Sequence, residues 1–486
     1  MREMLKENYS LRATFIVDDV SIPNVLCKIY LPERVLEKPC MKLLPTKDQY
    51  DKLSRSFKGS FKAEIKGKDG IIREQIESPV VYFKNNSTIY WEEGVSESSM
   101  DGEPQDLTIT SFLTSTSDED HSSVIFWLSP NEMLSPVMMC ENSYDGSIKV
   151  KRLFSYEFLI DDNIKLKFDK YYRSKKTDNK DTIRWSFLVS CTELDNLSHD
   201  TQKIRSEVLP KIDDFILISS LASRTRTACL GFQLTNQNIH SSYYRGNFSF
   251  PTGSSEPSFD QGLVWGKDFE EFVNHCYIAF SKYPNKDALR RVIWTLVPGE
   301  SKLLEEKFLS LFSGVETLLL EYRRQEKLEF IFENDTWKGI RKQIEKFIKD
   351  ISNPELEKKQ RSFMYKKIGE LNRISLSDVL THFCEKYDLD LEDLWPVFAD
   401  RGKVSLSDIR NSLIHGETFS NRCRDAVVVA CDNLKWILER MILKILEWPI
   451  DRTEVEAGFL KRNSHSLVIM PEEQEKIAKI FYNTNS

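Results

Sequence analysis

The chain changes its hydrophobic rhythm near residue 250. Up to there, short β-branched and aromatic runs recur between clusters of turn formers, and several alternate apolar with polar positions, the two-residue period of half-buried strands. The pattern predicts strands at RATFIVDD, VLCKIYLP, FKGSFKAEIKG, SPVVYFK, DLTITSF, SSVIFWLS, SYEFLI, IKLKFDKYY and IRWSFLVSC. GVSESSMDGEPQD and STSDEDHSS, rich in serine, glycine and acids, read as loops outside the core. A helical interruption, SHDTQKIRSEVLPKIDDFILISSLASRTR, opens at Ser198 as N-cap and carries Pro210 as a break or kink. CLGFQLTNQNIHSSYYRGNFSF then returns to strand-like composition.

Periodicity lapses in PTGSSEPSFDQG, residues 251–262, where the main domain boundary is placed. Beyond it the period becomes helical. Leu304, Phe308, Leu311, Val315, Leu318 and Tyr322 repeat at spacings of 4 and 3. Val427, Cys431, Leu434, Leu438, Met441, Ile445 and Trp448 do the same, which predicts two long helices packed nearly antiparallel, the second closed by Pro449. Shorter helical pieces lie between them at TWKGIRKQIEKFIKDIS, RSFMYKKIGELNRIS, LSDVLTHFCEKYD and LEDLWPVFAD, the last interrupted by Pro396. The expected class is α+β: a β-rich region over 1–255 with a helical insertion, a linker and connecting helix over 256–300, an all-α bundle over 301–450 and a tail over 451–486.

A length of 486 residues with 40% hydrophobic content suits two or three globular domains. The net charge of -7 and pI near 5.8 argue against a general basic coat, so any RNA contact is localised. No run of about 18 uncharged apolar residues occurs and MREMLKENYSLRATF lacks a signal-peptide core, so the expectation is a cytoplasmic chain with no membrane partner. The nine cysteines contain no Cys-x-x-Cys pair and read as reduced, buried small hydrophobes. None of the seven histidines lies three or four residues from another, and no phosphate-binding loop or Gly-x-Ser-x-Gly elbow occurs; no metal and no cofactor are expected.

The densest polar constellation is SLSDIRNSLIHGETFS, residues 405–420. Ser407 as N-cap, Asp408 in the first turn and Gly416 as a left-handed stop predict a short helix over Ser407 to His415. On it Arg410 and His415 stand about 140° apart and share no face. Fraying at Gly416 can swing the histidine, or two copies can meet across a dimer, the arrangement favoured here. The residue types suit RNA cleavage by the neighbouring 2′-hydroxyl. Histidine moves protons near neutral pH, arginine holds two phosphate oxygens with a permanent charge, and Asn411 can orient the imidazole or contact phosphate, with Leu413 and Ile414 anchoring the turn. The alternative is structural: Arg410 pairs with Asp408 or Glu417, Asn411 faces solvent and His415 caps a helix. Glu316, in the first long helix, is either a partner for Arg410 or a surface glutamate.

The string DIRNSLIHG, set before a long final helix, resembles the Arg-x4–6-His signature of HEPN-domain ribonucleases, with Asn411 as the polar residue after the arginine. LEEKFLSLFSGVETLL, IGELNRISLSDVL and the motif together resemble the C-terminal HEPN domain of ApeA-like anti-phage defence proteins, over roughly the last third of the chain. The resemblance implies a HEPN-like bundle, a sensing or regulatory role for the β-rich region over 1–255, and a metal-independent endoribonuclease leaving 2′,3′-cyclic phosphate and 5′-hydroxyl ends. It also implies a homodimer with a composite site, an RNA substrate with tRNA among the candidates, a phage-derived trigger, and defence by abortive infection. Arg410 and His415 then carry catalysis and Asn411 supports them. Two rivals are a non-catalytic sensor or adaptor that binds a phage protein or nucleotide, and a toxin held by a partner protein. Arg224, Arg226 and Arg245 are further candidates for RNA contact, beside Arg173, Lys175 and Lys176; such mixtures of cations and aromatics also occur as solvated surface or sheet-edge charges. EYRRQEK and EKKQRSFMYKK read as solvated helix faces.

Overall fold

The computed structural model describes residues 8–32, 38–84, 90–92, 95–97, 99–112, 123–142, 148–161, 164–177, 180–194, 200–236, 238–246, 262–297, 303–350, 358–398, 404–416 and 423–483. The class is α+β, with strands first and helices after. The chain forms two units, Met1–Tyr277 and Ile278–Ser486, so the division falls beyond the stretch expected at 251–262, of which only Gly262 is described.

In the first unit, β1 (Asn8–Val17), β2 (Val20–Tyr30), β3 (Cys40–Leu44), β4 (Lys58–Lys66), β5 (Ile72–Lys84) and, after the short pair β6 (Tyr90–Glu92) and β7 (Val95–Glu97), β8 (Met100–Gln105) form a closed antiparallel ring. Its order runs β5-β4-β1-β2-β3-β8 and back to β5. Alternation fills the interior: Phe15, Val25, Cys27, Ile29, Leu43, Ile76 and Val81 are wholly buried, while their neighbours along each strand face out. The helix α1 (Lys47–Leu53) follows β3, started by a Thr46–Gln49 capping box.

The strand β5 serves two partners. Glu74–Glu77 pair with β9 (Leu107–Phe112), and Val80–Lys84 pair with β8. Pro79, which has no N–H to give a ladder, sits at the switch between them, and the buried Ser78 hydroxyl donates to the Val80 carbonyl at 2.7 Å. The strand β8 corrects the expectation that GVSESSMDGEPQD lies outside the core. Met100, Gly102 and Pro104 face inward and Asp101, Glu103 and Gln105 do not. A Cβ on Gly102 would lie 2.7 Å from Met41 Cγ, so glycine is what admits the Met41 side chain.

From β9 an antiparallel sheet continues through β17 (Ile239–Tyr244), β16 (Cys229–Thr235), β10 (Ser123–Leu128), β15 (Lys180–Leu194), β14 (Ile164–Thr177) and β13 (Glu157–Asp161); β11 (Val137–Asn142) and β12 (Ile148–Phe154) pair separately. The predicted helical interruption is present. Its N-cap is Asp200, whereas Ser198 lies outside the described residues. After α2 (Thr201–Lys203) comes one π turn, Ile204–Val208, then α3 (Leu209–Ser223) with Pro210 in its first turn, where a missing N–H costs least. Phe215 of α3 packs on Phe158 and Phe168 of the sheet, with ring centres 4.9 and 5.9 Å apart. His240, on β17 between β16 and β9, bonds through its two ring nitrogens to Gln233 Nε2 and Thr235 Oγ1, each at 3.0 Å. Burial holds its pKa below the ordinary 6.5, so the neutral form is favoured on folding and that contribution is lost as pH falls. The melting midpoint of the first unit is expected to drop between pH 7 and pH 5, and to drop less in His240→Asn; equal drops in a calorimetric comparison would refute this.

The helix α4 (Phe269–Lys282) straddles the division at Tyr277; the second unit is built on α11 (Arg424–Ile445), reached through α5 (Lys286–Leu296), α6 (Leu304–Gln325), α7 (Asn334–Asp350), α8 (Lys358–Lys367), α9 (Leu376–Tyr387) and α10 (Leu406–Ile414). Buried residues surround α11 on nearly every side, because α5, α6 and the later α13 (His465–Asn483) all pack on it. The two stripes do face each other, but in parallel: Cys431 Sγ approaches the Leu304 carbonyl at 3.8 Å, and a Cβ on Gly314 would meet Leu438 Cδ2 at 2.9 Å. Advancing along α6 therefore advances along α11, against the antiparallel expectation. Long connections between the two helices permit this, and spacing alone is blind to direction.

Three further corrections concern boundaries. α11 ends at Ile445, ahead of Pro449, with Glu447 in the left-handed conformation at φ 58°. LEDLWPVFAD is not a helix over its described residues: Pro396 forbids the continuation, and the buried Trp395 is held by bonds from its N–H to Asn433 Oδ1 (2.9 Å) and from Nε1 to the Val404 carbonyl (3.1 Å). The segment expected as a tail, 451–486, carries α12 (Ala457–Asn463) and α13, with Val455, Leu460 and Ile477 buried.

Candidate functional site

The helix α10 starts two residues earlier than expected. Ser405, 1% exposed, is the N-cap: its hydroxyl accepts from the Asp408 N–H at 3.3 Å, and Asp408 Oδ2 accepts from the Ser405 N–H at 2.8 Å. The capping box uses the Asp408 carboxylate, which removes it as a partner for Arg410. Leu406, Ile409 and Ser412 form the buried face. The stop is as expected: His415 is the C-cap, its N–H bonded to the Asn411 carbonyl at 3.0 Å, and Gly416 follows at φ +82°.

Arg410 is held on the flank of this helix by α6. Its Nη2 lies 3.2 Å from Glu316 Oε1, its Nη1 donates to Asn411 Oδ1 at 3.1 Å, and its guanidinium carbon stands 5.9 Å from the Phe312 ring centre. The Arg410 and Glu316 side chains keep 31% and 27% of their accessible surface, so the pair is seated yet reachable. Glu316 is thus the partner that α6 supplies; Glu417 lies outside the described residues.

Arg410 and His415 remain on different faces. Asn411 and His415, at i and i+4, share one instead, with Ile414 between them at 53% exposure. Ile414 therefore does not anchor the turn as expected; it stands in solvent beside the exposed imidazole. One copy of the chain presents an exposed Asn411–Ile414–His415 face and, at its edge, an arginine fixed by a carboxylate.

The other candidate cations belong to the first unit. Arg245 forms a two-pronged pair with Asp213 of α3, Nη1–Oδ1 at 2.7 Å and Nη2–Oδ2 at 2.8 Å, which ties that helix to the end of β17. The Arg245 and Asp213 side chains keep 30% and 32% of their surface. Arg224 ends α3 in the left-handed conformation, half-buried, with Nη1 3.4 Å from the Gly262 carbonyl. Arg226 is half-buried in the turn before β16. The side chains of Arg173, Lys175 and Lys176 lie outside the described residues.

Among the described residues no group of three His, Cys, Asp or Glu side chains is placed to hold a metal ion, and no helix is long and apolar enough to cross a membrane. Burial pushes the thiols of Cys27, Cys229 and Cys431 up to about 12, which suits inert packing residues; Cys40 and Cys140 are exposed, against the expectation. The sequence reading missed Phe312, the buried Asn433 and Arg440 of α11, and the half-buried Asp393 that pairs with Arg440. The signal for Asn433 and Arg440 was polar residues interrupting the apolar pattern of α11; nothing local marked Asp393. No protein-family model, no curated protein and no solved structure matches this chain.

Proposed function

We propose that the chain is a metal-independent endoribonuclease of HEPN type, active as a homodimer in which two Asn411–Ile414–His415 faces meet over one RNA strand. The reading rests on one observation above the others: Arg410 is oriented by Glu316 and stays accessible, on the same short helix whose end exposes His415. An unused arginine on a helix surface needs no acid from another helix to aim it.

In the proposed reaction, a neutral His415 removes the proton of the ribose 2′-hydroxyl as that oxygen bonds to phosphorus. The bond from phosphorus to the 5′-oxygen breaks, and the protonated His415 of the second copy gives that oxygen its proton. The ends are a 2′,3′-cyclic phosphate and a 5′-hydroxyl. Arg410 binds the non-bridging oxygens, whose charge rises in the transition state, and Asn411 contacts phosphate from the histidine's own face. Within this reading the first unit senses a phage-derived trigger, and cleavage serves defence by abortive infection.

Purified protein, supplied with a phage lysate as trigger and incubated with total cellular RNA including tRNA in EDTA, is expected to yield those ends. Glu316→Gln is expected to keep its fold, since an exposed pair contributes under about 1 kcal/mol, and to lose cleavage about 10-fold through a misplaced arginine. Cleavage that vanishes with EDTA sinks the mechanism. A second reading, an adaptor that dimerises without chemistry, draws on the same ion pair, since Glu316 already answers the Arg410 charge; it predicts a dimer and no cleavage by wild type under any trigger.

A further inference from the structure

The excursion between α6 and α9 is chemically unlike the rest of the chain. Residues 334–367 carry ten Lys and Arg against five Asp and Glu, a net of +5 within a total of -7. It is also closed at its root. The Ile331 N–H donates to the Asn372 carbonyl at 2.9 Å, the Phe332 N–H to Asn372 Oδ1 at 2.8 Å, and Asn372 Nδ2 to the Phe332 carbonyl at 3.1 Å, while Phe330 and Arg373 form an antiparallel bridge. Asn372, at the centre of this clamp, is 4% exposed. Beyond it α7 packs chiefly on α8 and on the 3-10 turn Ile368–Asn372, using Trp337, Ile340, Ile344 and Ile348 at helical spacing.

The other side of α7 carries Lys338, Lys342, Lys346 and Lys349, spaced 4, 4 and 3, as one stripe. Lys338 pairs with Asp335 at 3.0 Å; Lys342, Lys346 and Lys349 have no carboxylate partner among the described residues. Large aromatics stand out around the same arm: Phe330, Phe347 and Phe363 keep 56%, 69% and 54% of their surface, and Lys366 Nζ lies 5.9 Å from the Phe363 ring centre.

Unpaired cations in a row, with exposed rings beside further cations, are what an unpaired nucleic-acid strand uses: phosphates meet the lysines and bases stack on the rings. A duplex offers no free base faces to such rings. A membrane surface would call for a continuous apolar face, and on α7 that face is spent against α8. We propose that the α7–α8 arm is a docking surface for single-stranded RNA, separate from the Arg410–His415 helix. The choice of RNA over DNA rests on the nuclease reading; the surface itself does not.

The test measures binding of a labelled single-stranded RNA of about 20 nucleotides to full-length protein by fluorescence anisotropy, in the His415→Ala background with EDTA so that cleavage cannot interfere. Lys342→Glu, Lys346→Glu and Lys349→Glu together are expected to weaken binding at least about 10-fold and to flatten the salt dependence by about 2 in slope. Phe347→Ala with Phe363→Ala is expected to weaken it on the order of 10-fold. Replacing 333–371 by a Gly-Ser bridge between Phe332 and Asn372 removes the surface while the clamp strands stay adjacent; circular dichroism then shows whether α6 and α11 are intact. A folded arm-less protein with undiminished affinity overturns the proposal. So does arm-dependent binding to vesicles of anionic phospholipid without arm-dependent RNA binding. If no RNA is ever cleaved but arm-dependent binding persists, the nuclease reading fails and this one stands.

Discussion

His415→Ala is expected to lower RNA cleavage by about 10²–10⁴-fold while leaving the melting curve unchanged, because the side chain is exposed and its structural contribution is the backbone bond to Asn411, which alanine keeps. Arg410→Ala is expected to match it in direction and to cost little stability, since its pair with Glu316 is part-exposed. A composite site adds a sharper consequence. Mixing wild type with increasing His415→Ala protein forms heterodimers that hold one histidine where the reaction uses two, so activity should fall with about the square of the wild-type fraction. If His415→Ala cleaves like wild type, or activity falls only in proportion to the wild-type fraction while the two proteins exchange subunits, the site is not the one drawn above.

Asp393→Ala should unfold the helical unit at markedly lower denaturant concentration, by about 3–5 kcal/mol. Arg440 lies in the last third of α11 with 3% of its side chain accessible, and Asp393 meets it with two bonds of 2.6 and 2.7 Å. Its other contacts, to the carbonyls of Val455 and Asp390 at 2.8 and 3.1 Å, are neutral and cannot balance a buried cation. Replacing both partners by apolar residues of similar size, Asp393→Leu with Arg440→Met, should recover most of the loss. Denaturant titration followed by helical circular dichroism reads both variants. An unchanged midpoint for Asp393→Ala would mean that water reaches Arg440.

Much of the architecture was legible because the forces that write it are local. Two-residue alternation marked β1, β2, β4, β5, β9 and β10, and the 4-and-3 spacing marked α6 and α11, since a side chain's face follows from backbone geometry alone. Failures occurred where burial was achieved without apolar bulk. In β8 the inward positions include Gly102 and Pro104, so no hydrophobic pattern announced a strand. At LEDLWPVFAD the leucine and tryptophan spacing imitated a helix that Pro396 does not allow. The N-cap of α10 was displaced because Ser405 and Ser407 both precede Asp408, and only Ser405 is three residues from it, the separation a capping box needs.

By itself the sequence determined the α+β class, the position of the Arg410–His415 helix and its stop at Gly416, all consequences of short-range sterics and side-chain direction. Only the tertiary structure decided that β5 closes a ring with β8, that α6 and α11 run parallel, that Arg245 pairs with Asp213 and that Glu316 is what holds Arg410. Each of these joins residues far apart along the chain, and periodicity records which face a residue occupies without recording what that face will meet.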